Sequence, residues 1–83
     1  MRVLYFAWVK EKVGVTEEEI LPPEGVATVA ELIDWLKARG PEFAEAFAKS
    51  EVIRAAIDRI HVRHDAKIAG AREVAFFPPV TGG

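Results

Sequence analysis

Four residues near the middle of the chain, Thr28-Val29-Ala30-Glu31, constrain the fold more than any other segment. A threonine followed three positions later by glutamate is a capping box. The Thr28 hydroxyl accepts from the Glu31 N–H, and the Glu31 carboxylate accepts from the Thr28 N–H. The helix that starts there carries Val29, Leu32, Ile33 and Leu36 at i, i+3, i+4 and i+7, one apolar stripe facing one core. Gly40-Pro41 ends it. Trp35 lies off the centre of the stripe, at the edge of the core. Phe43, Ala44, Ala46 and Phe47 predict a second, shorter helical segment with both rings turned inward. The rest of the chain must therefore cover one main helix.

The flanking segments read as strands. Arg2 to Val9 is rich in β-branched and aromatic residues and predicts a central strand, followed by a short helical turn that Gly14 stops. Thr16 to Leu21 predicts a second strand, with Glu17, Glu18 and Glu19 mostly solvated, ended by Pro22-Pro23. Beyond the helix, Ile53 to Ile57 and Ile60 to Val62 predict strands joined by a tight turn at Asp58-Arg59, because aspartate tolerates positive φ. Gly70 marks another turn, and Glu73 to Phe77 is the last strand. A right-handed crossover through the helix makes the first and last strands parallel neighbours. The chain of 83 residues is short enough for a single domain. The expected fold class is α+β, a ubiquitin-like β-grasp with a mixed sheet curled over one main helix. The domain spans 1–77, and 78–83 form an extended, flexible tail.

Composition excludes several chemistries. The chain has no cysteine, so disulfides, zinc thiolates and a thiol nucleophile are ruled out. Sulfur transport, if it occurs, must use the terminal carboxylate. His61 and His64 stand three apart, which on a strand puts them on opposite faces and argues against a shared metal. The single serine, Ser50, has no histidine and acid partner in view, and the glycines form no phosphate loop. No catalysis by this chain alone is expected. The net charge of −2 argues against nucleic acid as a partner. Val3 to Val9 is too short to span a bilayer, and a cytoplasmic protein is expected. Charge is uneven along the chain: residues 49–72 hold six Lys/Arg against three Asp/Glu. That basic stretch reads as a solvated surface or as a guide toward an acidic partner.

The chain closes on Phe76-Phe77-Pro78-Pro79-Val80-Thr81-Gly82-Gly83. Two prolines without N–H groups stop the ladder and favour extended geometry. Six residues from Pro78 reach roughly 20 Å when fully extended. Glycine lacks a Cβ, so Gly82 and Gly83 can enter a narrow slot in another protein. Val74 and Phe76 share the core face of the last strand, and Phe77 points the other way. Phe77 is either an exposed interface anchor or covered by its own loop.

These residues resemble the small subunits of molybdopterin synthase, the MoaD family of sulfur carriers. The Phe76 to Gly83 ending is the specific part. Val3-Leu4-Tyr5-Phe6-Ala7, Thr28-Val29-Ala30-Glu31-Leu32 and Arg39-Gly40-Pro41-Glu42 extend the likeness over the whole chain. Two turns depart: Asp58 stands where the family often has Asn, and Gly70-Ala71-Arg72 where it often has Gly-Asp. The resemblance implies that the Gly83 carboxylate is adenylated by an ATP-dependent activating enzyme and converted to a thiocarboxylate by a sulfur donor. It then donates sulfur to cyclic pyranopterin monophosphate inside the large synthase subunit, to build the molybdopterin dithiolene. It further implies a heterotetramer, with the catalytic residues on the large subunit and ATP used by the activating enzyme, so that this chain binds no cofactor or metal. Thr81 and Gly82 would thread the partner's slot, Phe77 and Val80 would anchor, and Pro78-Pro79 would aim the tail. The rival readings are a sulfur carrier for thiamine thiazole synthesis or tRNA thiolation, a ubiquitin-like protein modifier, and a β-grasp binding module.

Overall fold

The first and last strands of the chain lie side by side, and everything else is arranged around that pair. A computed structural model describes residues 1–79. Strand β1 (Arg2–Tyr5) runs parallel to β5 (Glu73–Phe77), with Val3 opposite Val74 and Tyr5 opposite Phe76. The sheet is completed by β2 (Glu17–Glu19), β3 (Arg54–Ile57) and β4 (Ile60–Val62), in the order β2-β1-β5-β3-β4. The last strand is therefore the central one, and β1 stands next to it. Antiparallel pairing of β3 with β5 sets Ala55 opposite Phe76 and Arg54 opposite Phe77.

The first strand is shorter than the sequence predicts. It stops at Tyr5, and Ala7–Val13 form helix α1. Ala7 takes a left-handed φ of 53°, which turns the chain out of the sheet. The Phe6 carbonyl then accepts from the N–H groups of Val9 and Lys10. Val9 and Val13, four apart, are the buried positions of this helix. Gly14 ends it at φ 95°, with its N–H donated to the Lys10 carbonyl, the left-handed stop that glycine takes without strain.

Helix α2 (Val29–Lys37) is the main helix. Both hydrogen bonds of the Thr28–Glu31 capping box are present, and Val29, Leu32, Ile33 and Leu36 are its buried residues. The loop after β4 reaches back to it: Val29 N–H donates to the Ala66 carbonyl and Ala30 N–H to the His64 carbonyl. Amides that a helix start leaves without partners are thus satisfied from outside the helix. Helix α3 (Pro41–Ala46) and a 3₁₀ turn (Ser50–Val52) lead to β3. Trp35 is half-buried at the margin of the core.

Aromatic packing ties the layers together. Phe47 meets Phe76 edge to face at 5.2 Å, and Tyr5 meets both Phe43 (6.3 Å) and Phe47 (6.5 Å). Edge-to-face pairs at such spacings match the positive edge of one ring to the negative face of another.

The hairpin between β3 and β4 turns at Asp58 and Arg59, with φ of 48° and 71°. Positive φ at both turn residues is the geometry that matches the twist of a two-residue hairpin. The Asp58 carboxylate also accepts from the N–H groups of Arg72 and Glu73, each at 3.0 Å. One side chain thus fastens the hairpin to the start of the central strand.

The three glutamates of β2 are not all solvated. Glu17 and Glu19 are exposed, but the Glu18 side chain is 21% exposed and receives three hydrogen bonds. Arg39 donates to both of its oxygens at 2.9 Å, and the Tyr5 hydroxyl donates at 2.7 Å. Arg39 in turn lies over the rings of Trp35 (5.4 Å) and Phe43 (4.8 Å). The bond to Arg39 holds the Glu18 carboxyl below its ordinary value of 4.5, while burial pushes the Tyr5 phenol far upward. A carboxyl with a lowered folded pKa stabilises the fold above its unfolded pKa, and that contribution is lost as pH falls through the folded value. Glu18→Gln is expected to cost about 1–2 kcal/mol at neutral pH and to flatten the loss of stability below pH 4.5. Urea titrations across the acid range check both. An unchanged acid limb in the variant would mean that Glu18 is not the group responsible.

Candidate functional site

The candidate site is the end of β5, from Phe77 to Pro79, together with the outer face of the sheet. In β5 the side chains alternate: Val74 and Phe76 are buried against the helices, while Glu73, Ala75 and Phe77 face outward. Phe77 is half-buried, and the His61 ring stands 5.2 Å from it. The phenylalanine is thus partly covered by a side chain reaching over from β4, two strands away, intermediate between the two expectations for it. Pro78 is half-buried and Pro79 exposed. Val80, Thr81, Gly82 and Gly83 lie outside the described residues.

Register assembles the surface beside Phe77. Leu4 is opposite Ala75, Ala75 opposite Ala56, and Ala56 opposite His61. These residues make a row across four strands, apolar from Leu4 to Ala56 and ended by His61, next to Phe77 and Arg54. Phe6 follows Tyr5, whose partner is Phe76, and its N–H donates to the Phe76 carbonyl at 3.1 Å. Phe6 therefore reaches the position next to Phe77, and it is 45% exposed. A partly exposed phenylalanine beside a second, half-buried one at the end of the central strand matches the composition of contact surfaces. The sequence reading missed Phe6 because it ran the first strand through to Val9. Strict alternation with the buried Val3 and Tyr5 would have placed it outward.

The two histidines take different partners. His61 packs on Phe77, and the His64 ring nitrogen Nε2 is 2.8 Å from the Ile53 carbonyl, to which it donates in the matching tautomer. No group of three or more His, Asp or Glu able to hold a metal occurs among the described residues. No helix among them is long and apolar enough to cross a membrane. Four of the six basic residues of 49–72 are divided between two ends of the sheet, while Lys49 and Lys67 lie apart from both groups. Arg59 and Arg72 line a hollow with Asp58 and Glu73 at the start of β5, and Arg54 and Arg63 line another near its end.

A five-stranded mixed sheet over one main helix, with the first strand parallel to a central last strand, defines a ubiquitin-like β-grasp protein. SAMP1 from Haloferax volcanii superposes with a TM-score of 0.74 at 25% identity, over 100% of this chain and 98% of that one. A protein of Pyrococcus furiosus named as molybdopterin converting factor, subunit 1, gives 0.70 at 32% identity over 95% of each chain. The ThiS family model matches residues 3–83, and the chain belongs to the ThiS family. It is 36% identical to the molybdopterin synthase sulfur carrier subunit of Escherichia coli K12, over 100% of this chain and 99% of that protein. Identity to the protein of the same name from Haemophilus influenzae is 32%, with the same coverage.

Proposed function

We propose that this chain is the sulfur carrier subunit of a molybdopterin synthase, loaded and unloaded at the carboxylate of Gly83. The observation that carries this reading is end-to-end similarity to two proteins of that name. The geometry supports it in a specific way. The tail follows directly from the central strand, which is bonded on both sides, so its root is held at one place while the outer face beside it is free to dock.

A carboxylate is a poor electrophile, being anionic and lacking a leaving group. Attack of a Gly83 oxygen on the α-phosphorus of ATP, with loss of pyrophosphate, gives an acyl adenylate in the activating enzyme. A hydrosulfide-level sulfur donor then attacks the acyl carbon and AMP leaves, so that a thiocarboxylate remains. Inside the large synthase subunit, that sulfur bonds to a side-chain carbon of cyclic pyranopterin monophosphate and displaces an oxygen there. Water then cleaves the acyl–sulfur bond, which returns Gly83 as a carboxylate, and two such transfers supply the dithiolene. The bases and phosphate ligands belong to the partners in a heterotetramer of two small and two large subunits. This chain contributes the sulfur, the reach of 78–83 and the docking face. Phe77 and Val80 anchor, Pro78-Pro79 aim, and Thr81 and Gly82 thread.

Intact mass spectrometry after incubation with activating enzyme, ATP and a sulfur source tests the reading. One oxygen-to-sulfur exchange confined to Gly83 is expected, and an unaltered mass rules the carrier role out. Docking is tested separately by Phe77→Ala. Loss of a half-buried aromatic anchor is expected to weaken binding to the large subunit at least tenfold, about 1.4 kcal/mol or more, with thermal stability nearly unchanged. Calorimetric titration measures the first and a melting curve the second. Binding as tight as the unsubstituted chain would remove Phe77 from the interface.

A further inference from the structure

Two arginines stand at the flank of the proposed docking face. Arg54 is the register partner of Phe77, so its side chain leaves the sheet on the outer side, next to that ring. Arg63 directly follows β4. Both are exposed, and they line one open hollow of about 360 Å³ together with Glu51 and His64. Among the described residues, Arg2, Lys12, Arg39 and Arg59 each pair with a glutamate, whereas Arg54 and Arg63 make no ion pair. The His64 ring is engaged by the Ile53 carbonyl. Glu51 offsets one of the two charges, and the lining keeps a net positive charge. At the opposite edge of the same sheet the carboxylates of Glu17 and Glu19 are paired with Arg2 and with the Met1 amino group. The face is thus apolar in the middle and basic beside Phe77, while the carboxylates at the far edge are offset by cations of their own.

We infer that the protein docking on the outer face presents an aspartate or glutamate side chain to the hollow between Arg54 and Arg63, so that an ionic contact beside the Phe77 contact sets the docking register. This inference rests on the function proposed above and specifies the chemistry of the partner. A guanidinium fork matches a carboxylate in two parallel hydrogen bonds. Charges at the rim of an interface act mainly on the rate of encounter. Orientation matters here because a tail of six residues reaches a partner's slot only when the body lands in one register.

Stopped-flow association of the full chain with the large synthase subunit of the same genome tests this. The Arg54→Gln, Arg63→Gln double variant is expected to associate about tenfold more slowly at low salt. The difference should close at high salt, where exposed charges are screened. The Arg54→Lys, Arg63→Lys variant restores the rate to within about threefold if charge is the cause. An equal rate for the double glutamine variant at low salt overturns the inference alone, as does a deficit that high salt or lysine leaves in place. Competition by millimolar ATP would assign the hollow to phosphate and overturn it too. If the unsubstituted chain does not bind the large subunit, the proposed function falls and takes the inference with it.

Discussion

Deleting Gly83, or appending residues after it, is expected to reduce sulfur transfer to background while the folded domain melts as before. The reason is chemical. A chain without cysteine has no thiol on which to carry sulfur, which leaves the proposed carrier the Gly83 carboxylate. A tag moves the carboxylate away from the position that an activating enzyme would bind and replaces it with an unreactive amide. Gly82→Leu is expected to have nearly the same effect by a different route, since a Cβ and its branches fill the slot that a bare backbone can pass. Residues 1–77 supply the core contacts, so circular dichroism and thermal melting should not change. Sulfur transfer assayed with reconstituted activating enzyme and large subunit reads the loss. A tagged, unprocessed protein with full activity would refute the assignment to Gly83.

The second large effect falls on the fold. Phe47 is 0% exposed and touches Phe76 at 5.2 Å and Tyr5 at 6.5 Å. Phe47→Ala leaves a cavity under the central strand and is expected to cost about 3–5 kcal/mol. Domains of this size have total stabilities near the lower part of the 5–15 kcal/mol range, so the variant is expected to be largely unfolded at 37 °C. Urea denaturation measures the cost. Phe77→Ala is the internal comparison, because the same residue type one position past Phe76 lies on the other face and is half-buried. A loss below about 1 kcal/mol for Phe47→Ala would mean that the aromatic cluster is not what holds β5 against the helices.

Much of this architecture was legible from local chemistry. The Thr28–Glu31 box, the stripe from Val29 to Leu36 and the Asp58-Arg59 turn each depend on neighbours within a few residues, and each appears where the pattern puts it. The parallel pairing of β1 with β5 is the arrangement that a right-handed crossover through the helix permits. What was not legible depends on tertiary context. Nothing local marks Ala7 for a left-handed φ, so the aromatic run from Tyr5 to Trp8 reads as one strand although the chain turns out of the sheet after Phe6. The spacing of Val9 and Val13 before Gly14 carried the helical signal. Glu18 looked like its two neighbours because its partners, Tyr5 and Arg39, are 13 and 21 positions away. At the site, Phe77 was found from alternation, whereas Phe6, Arg54 and His61 join it only through register. The roles assigned to Val80, Thr81, Gly82 and Gly83 rest on chemistry and family likeness, since those residues lie outside the described part.

The placement of β5 between β1 and β3 has a mechanical consequence. A partner that grips the tail pulls along the axis of a strand whose amides and carbonyls are bonded to neighbours on both edges, so the load is shared by the whole ladder instead of opening one bond at a time. Amides of 74–77 should then exchange with deuterium only when the entire domain opens. The body can be towed by its last residues without being unravelled.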